Sequence, residues 1–229
     1  MIERAKQAVP LALVIGLLAA LWVEFSLNFT FHWVTDGDLG IGLSLPSNFH
    51  LIVPAAFVSW GFFFAAGADT AAFTKVVIAS VVGTVGGLLL MVVAPALADL
   101  PDFWGIAVTV AVLAFVVVVA TCIGDMYYVP AVFGAFAATV FWWIATGLDG
   151  WAKNGGGIGN SVAALAKPAT AGTGAFGGVL STPVAWVFVD TLVTLLIGTL
   201  LGVASVRLTA IVTPRPAASA PARETAATA

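Results

Sequence analysis

The chain has 229 residues, of which 61% are hydrophobic and only 8% charged, and a formal net charge of −3. Soluble domains carry about 25% charged residues, so this chain has too few polar side chains to coat a water-soluble globule. The small net charge gives no reason to expect nucleic acid as a partner. Cys122 is the one cysteine, which excludes disulfide frameworks and thiolate metal sites within one chain.

Six apolar runs follow one another, at Val9–Trp33, Leu51–Gly67, Val76–Leu97, Phe103–Ile123, Val129–Gly147 and Pro183–Val206. About 20 apolar residues cross a hydrocarbon core about 30 Å thick. Five runs meet or approach that length, and Leu51–Gly67 sits at the short end. The expected fold is therefore all-α, a polytopic membrane protein with a single six-helix transmembrane domain over residues 1–213. Arg4 and Lys6 precede the first run as in a secretory signal, but no small-residue cleavage pattern follows and the apolar character continues to Trp33. It reads as an uncleaved first span. Cys122 falls inside the fourth run and reads as a small apolar filler. Residues 214–229 are rich in Ala, Pro, Ser and Thr, and that composition predicts a disordered tail.

Lys and Arg concentrate on the cytoplasmic side of membrane proteins. Six spans place Arg4, Lys6, Lys75, Arg207, Arg215 and Arg223 on one side, against Lys153 and Lys167 on the other. Both termini, and the 214–229 tail with them, are expected in the cytoplasm. The outer side then carries the long Gly-rich loop 148–182. Its Gly172-Thr173-Gly174-Ala175-Phe176-Gly177 matches a dinucleotide fingerprint by letter. The required strand, helix and downstream acid are missing, so a flap is the better reading and no cofactor is expected.

Two pairs of segments resemble each other. Val53-Pro54-Ala55-Ala56-Phe57 opens the second run and Val129-Pro130-Ala131-Val132-Phe133 the fifth. Gly83 and Gly87 in the third run repeat as Gly198 and Gly202 in the sixth. In order, these pairs predict two three-helix halves of inverted orientation, the architecture of many channels and secondary transporters. Helix rules alone also produce such matches, because Pro suits a first turn and Gly-x-x-x-Gly lets helices pack closely in lipid.

Further short patterns lie at Leu21-Trp22, Phe64-Ala65-Ala66, Ile78-Ala79-Ser80 with Gly83, Tyr128-Val129-Pro130 and Phe133-Gly134-Ala135. Across roughly residues 11–147, and more loosely 183–205, the chain resembles the YcdZ-like family of bacterial inner-membrane proteins of unknown function. The resemblance implies a six-span protein of the bacterial inner (plasma) membrane and carries no chemistry to transfer. The 148–182 loop looks like an insertion relative to that family, and Glu24 does not look like a family feature.

Glu24 and Asp190 are the carboxylates inside predicted spans, and such residues are functional candidates by default. At about 1.5 Å per residue both fall roughly 10–13 Å below the outer surface, so they are expected to face each other at one level. Such a pair could share a proton or form a polar collar; the bland alternative bonds each to a neighbouring helix. His32 and His50, with Asp36 and Asp38, surround the first outer loop without metal-binding spacing. Asp125 is expected to cap the fifth span. Trp33, Trp104, Tyr127, Tyr128, Trp142, Trp143 and Trp151 read as an aromatic belt near span ends. Trp22, Trp60 and Trp186 sit deeper and are candidate cavity walls.

No nucleophile–base constellation is present, so an enzyme is not expected. The leading expectation is a channel or secondary transporter for a small solute, assembled as a homo-oligomer in the lipid bilayer. The alternative is a non-transporting subunit that scaffolds or anchors a larger complex through an unlike membrane-protein partner.

Overall fold

A computed structural model describes residues 2–34, 46, 48–97, 99–101, 104–145 and 182–213. Helix α1 (Ile2–Asn28) continues into a π-helical stretch, Phe29–Val34. Then come α2 (Val53–Ala65), α3 (Thr70–Ala96), α4 (Trp104–Val119) with a closing 3-10 turn (Ala120–Ile123), α5 (Val129–Ala145) and α6 (Val184–Val212). The described residues are all-helical, as the apolar runs predict. The Gly-rich loop 148–181 and the 214–229 tail lie outside the described residues.

Among the described residues four helices are long and apolar enough to cross a membrane: α1 from Lys6, α3, α4 with its 3-10 turn, and α6. Helices α2 and α5 are shorter, at 13 and 17 residues. Thirteen residues rise roughly 20 Å, less than the hydrocarbon thickness. The second apolar run loses length because its first residues are not helical. The chain reaches Ile52 in an extended conformation, and Pro54 sets the helix start one residue later. At the other end, Gly67 at φ 117° and Ala68 at φ 57° turn the chain sharply into α3. There the Asp69 side chain accepts the Ala72 N–H at 2.7 Å, a cap that stops the first turn from fraying.

The core lies where α2, α3, α5 and α6 meet. It is filled by Ala55, Leu90, Met91, Trp142, Trp143, Val187 and Leu195, among others. The broadest contacts are α3 on α5 and α2 on α6. Helices α1 and α4 lie outside this group, with only 6% and 11% of their spans buried. Leu13, Leu17 and Leu21 on α1, and Val112, Phe115 and Val116 on α4, face outward. Hydrocarbon solvates such faces at no cost, whereas water would not.

Hydroxyls inside the helices are satisfied locally. Thr84, Thr139, Thr191 and Thr199 each donate to the carbonyl four residues back, at 2.7–3.0 Å. This back-bonding is how Ser and Thr are carried in an apolar helix without an orphaned donor.

Three expectations are corrected here. Trp142 and Trp143 are core residues rather than members of an interfacial belt, because both are almost completely buried between helices. Cys122 is exposed on the 3-10 turn rather than packed inside. Asp125 stands exposed in the turn before α5, and the cap bond the structure does contain is the one made by Asp69. Trp33 and Trp104 are exposed near helix ends, the placement a membrane interface favours.

Candidate functional site

A non-helical segment buried among apolar helices must find partners for its peptide groups. His50, Leu51 and Ile52 form such a segment, each almost fully buried. The Thr30 hydroxyl accepts the Leu51 N–H at 3.0 Å and lies 3.2 Å from the Leu51 carbonyl, to which it can donate. Thr194 on α6 accepts the Ile52 N–H at 3.2 Å. Trp22 on α1 donates its indole N–H to the Val53 carbonyl at 3.2 Å. Three helical elements therefore hold this lead-in to α2 in place.

Asp190 sits beside it on α6, fully buried. Neither carboxyl oxygen has a hydrogen-bond partner among the described residues. The His50 backbone and the Trp142 side chain are the polar groups that act on it, although neither meets hydrogen-bond geometry. The His50 ring meets Trp142 edge-on at 6.4 Å. His50 Nδ1 and Thr182 Oγ1 are also buried without a hydrogen bond. Burial pushes the His50 pKa below its ordinary value of 6.5, since desolvation disfavours the imidazolium.

The basic side chains described on the helices are far from this carboxyl. Arg207 is 17 residues further along α6, roughly 25 Å away at helical rise, and exposed. Lys75 lies in the first turns of α3, and Thr70, which opens that helix, shares a cavity with Arg207. The bundle thus has an Asp190 end and an Arg207 end.

The expected partnership of Glu24 with Asp190 is not made. Glu24 is exposed on α1, and its Oε1 accepts from the Asn28 amide at 2.9 Å. Of the three deeper tryptophans, Trp22 is buried and bonded as described. Trp60 is buried and stacks flat on Phe57 at 5.7 Å and 9°. Trp186 is half-buried against Phe49, 6.1 Å between ring centres. His32 falls in the π-helical stretch, and its side chain lies outside the described residues, as do Asp36 and Asp38. Thr30 and Thr194 were missed in the sequence. The signal available was weak: Thr194 lies one turn from Asp190, but α3, α4, α5 and α6 all carry threonines.

The four helix-packing glycines occupy close contacts. A Cβ on Gly83 would run into the Val132 carbonyl and Ala135, and one on Gly87 would come within 2.6 Å of Thr139. On the other pairing, a Cβ on Gly198 would strike the Ala56 carbonyl and the Ser59 hydroxyl, and one on Gly202 would strike Phe63. Ser59 itself donates to the Leu195 carbonyl at 2.6 Å. These contacts close the middle of the bundle.

Cavities lie toward its periphery. One of about 340 Å³ opens between α3, α4 and the turn before α5. One of about 400 Å³ lies beside Asp69 and Arg207. An apolar groove of about 460 Å³ runs between α2 and α5. Among the described residues no three His, Cys, Asp or Glu side chains come together as a metal site would require.

No curated protein and no solved structure matches the chain. The model of one family, described as "Protein of unknown function (DUF1097)", matches residues 12–210. That span covers nearly the whole described bundle, from α1 to the last turn of α6, and the chain therefore belongs to the DUF1097 family.

Proposed function

We propose that the protein is a secondary transporter or channel for a small solute, built from two inverted three-helix halves, α1–α3 and α4–α6. The observation that carries this is an exchange of contacts. Aligning Val53-Pro54 with Val129-Pro130 sets Ala56, Ser59 and Phe63 against Val132, Ala135 and Thr139. Aligning Gly83 with Gly198 sets Gly87 against Gly202. Under these two alignments, Gly83 against Val132 and Ala135 becomes Gly198 against Ala56 and Ser59. Gly87 against Thr139 becomes Gly202 against Phe63. The two broadest helix contacts, α3 on α5 and α2 on α6, are each other's counterparts under the same exchange. Neither a proline at a helix start nor a Gly-x-x-x-Gly face requires partners to match residue for residue.

Inverted halves are the architecture of secondary transporters, which bind solute near helices interrupted within the membrane. The lead-in His50–Ile52 is a buried non-helical stretch ahead of the short helix α2, and Asp190 beside it is the buried carboxyl assigned to the polar path. Trp22, which pins the lead-in, and Trp60 and Trp186 complete the proposed path on the α1, α2 and α6 sides. His32, two residues beyond the buried Thr30, is assigned to its outer approach. The protein belongs to the same reading as a bacterial inner-membrane component of YcdZ-like kind. It has six membrane-embedded helices, both termini in the cytoplasm and a homo-oligomeric assembly, and it performs no catalysis.

The test is a flux screen in proteoliposomes with small neutral and weak-acid solutes. Saturable flux that Asp190→Asn abolishes, in a variant that still folds, is the expected result. Silence across the panel from correctly folded protein overturns transport. Recovery of a stoichiometric unlike partner from mild detergent would then favour the scaffold alternative.

A further inference from the structure

The proposed halves differ at one equivalent place, and the difference says what belongs there. At the Asp190 end, Val193 and Ile197 of α6 are covered by Trp22 of α1 and Phe29 of the π-helical stretch, together with Phe49 and with Leu51 of the lead-in. The aligned α3 positions are Ile78 and Val82. At the Arg207 end these two line the 340 Å³ cavity instead, with Val116 and Ala120 of α4 and with Tyr127. Trp22, Ser26 and Phe29 on α1 repeat the four-then-three spacing of Val116, Ala120 and Ile123 on α4. In one half the place is filled by an indole and a phenyl ring; in the other, smaller side chains leave it open. The Tyr127 hydroxyl is closed off from this space and has no hydrogen bond among the described residues, whereas the exposed Asp125 lines it.

We propose that the cavity between α3, α4 and the turn before α5 binds a small aromatic molecule of indole size carrying one hydrogen-bonding group. The ligand takes the place that Trp22 and Phe29 fill in the other half. The comparison of halves rests on the inverted-repeat reading above. The walls are almost wholly apolar, which suits a planar ring. The Trp22 indole shows the polar requirement of such an occupant, since its N–H donates to a backbone carbonyl at the lead-in. At the open end the exposed Asp125 carboxylate is the polar side chain on the cavity wall that can accept a ligand's N–H or O–H.

The test is equilibrium binding of tritiated indole to the purified full-length protein in detergent, with phenol and hexan-1-ol as competitors. Saturable binding displaced by phenol but not by hexan-1-ol is expected. Val116→Trp, which copies the filled half, should abolish it, and Ile123→Phe should weaken it several-fold; Asp125→Ala should also weaken it. Thermal melting establishes that each variant folds, and Ile123→Phe serves if Val116→Trp does not. Absence of saturable binding, equal displacement by hexan-1-ol, or unchanged binding in a folded filling variant overturns the proposal. The assay needs no transport: binding without flux removes the transporter reading alone, and flux without binding removes this site alone.

Discussion

Ser59 and Gly198 are locked together across the α2–α6 contact. The serine hydroxyl donates to the Leu195 carbonyl at 2.6 Å and lies where a Cβ on Gly198 would have to go. On the same glycine, the backbone carbonyl of Ala56 blocks the remaining space, and a helix backbone cannot step aside as a flexible side chain can. Gly83 stands in the same relation to the Val132 carbonyl on α5.

Gly198→Ala and Gly83→Ala should therefore each destabilise the bundle by about 1–3 kcal/mol, the cost of overpacking a tight contact. Gly16→Ala and Gly61→Ala meet open space and should leave stability unchanged or raised, because alanine is the better helix former. Thermal unfolding in detergent separates the two groups. Equal melting of all four variants would mean that the close contacts do not hold the bundle together.

Asp190 is the second test of the site. An apolar residue in place of a buried polar group that has no hydrogen bond is close to neutral. Asp190→Leu should thus keep or raise stability by about 1 kcal/mol, whereas Asp190→Asn preserves shape and removes the titratable proton. Loss of several kcal/mol in Asp190→Leu would make the carboxyl a structural element and take it out of the path.

The lead-in to α2 should depend on its two threonines. Thr194→Val leaves the buried Ile52 N–H without an acceptor, and Thr30→Val does the same to Leu51. An orphaned buried donor costs about 1–3 kcal/mol. Faster amide exchange at residues 51 and 52, ahead of any change in α3 or α5, is the expected signature. Global loosening of the bundle by either variant would contradict it.

His50 supplies the pH dependence. Its folded pKa lies below the ordinary 6.5 because burial disfavours the charged ring. Above about pH 6.5 the ring is neutral in both folded and unfolded chains, so its contribution to stability is constant. As pH falls through that value the unfolded chain takes up a proton that the folded one resists, and stability declines until the folded pKa is passed. The melting temperature should drop on acidification from about pH 7 to about pH 5, and His50→Gln should flatten that drop. An unchanged slope in His50→Gln would place the acid sensitivity elsewhere.

The membrane character of this protein was legible in the chain itself, because oil tolerates only backbone that satisfies its own hydrogen bonds. Apolar runs of sufficient length must then be helices, and α1, α3, α4 and α6 fall where hydropathy puts them. The small-residue faces at Gly83, Gly87, Gly198 and Gly202 were legible too, since close packing in lipid selects for them. Their partners were not, because spacing along one helix says nothing about which neighbour arrives. The same limit hid the shortness of α2: apolar Leu51 and Ile52 look helical by composition, yet Thr30 and Thr194, from distant segments, hold their peptide groups outside the helix. It also misplaced the carboxylates. Glu24 and Asp190 have similar depth along their own helices, but depth does not state azimuth. Only the packing of the helices turned Asp190 inward beside His50 and Trp142 and left Glu24 facing out.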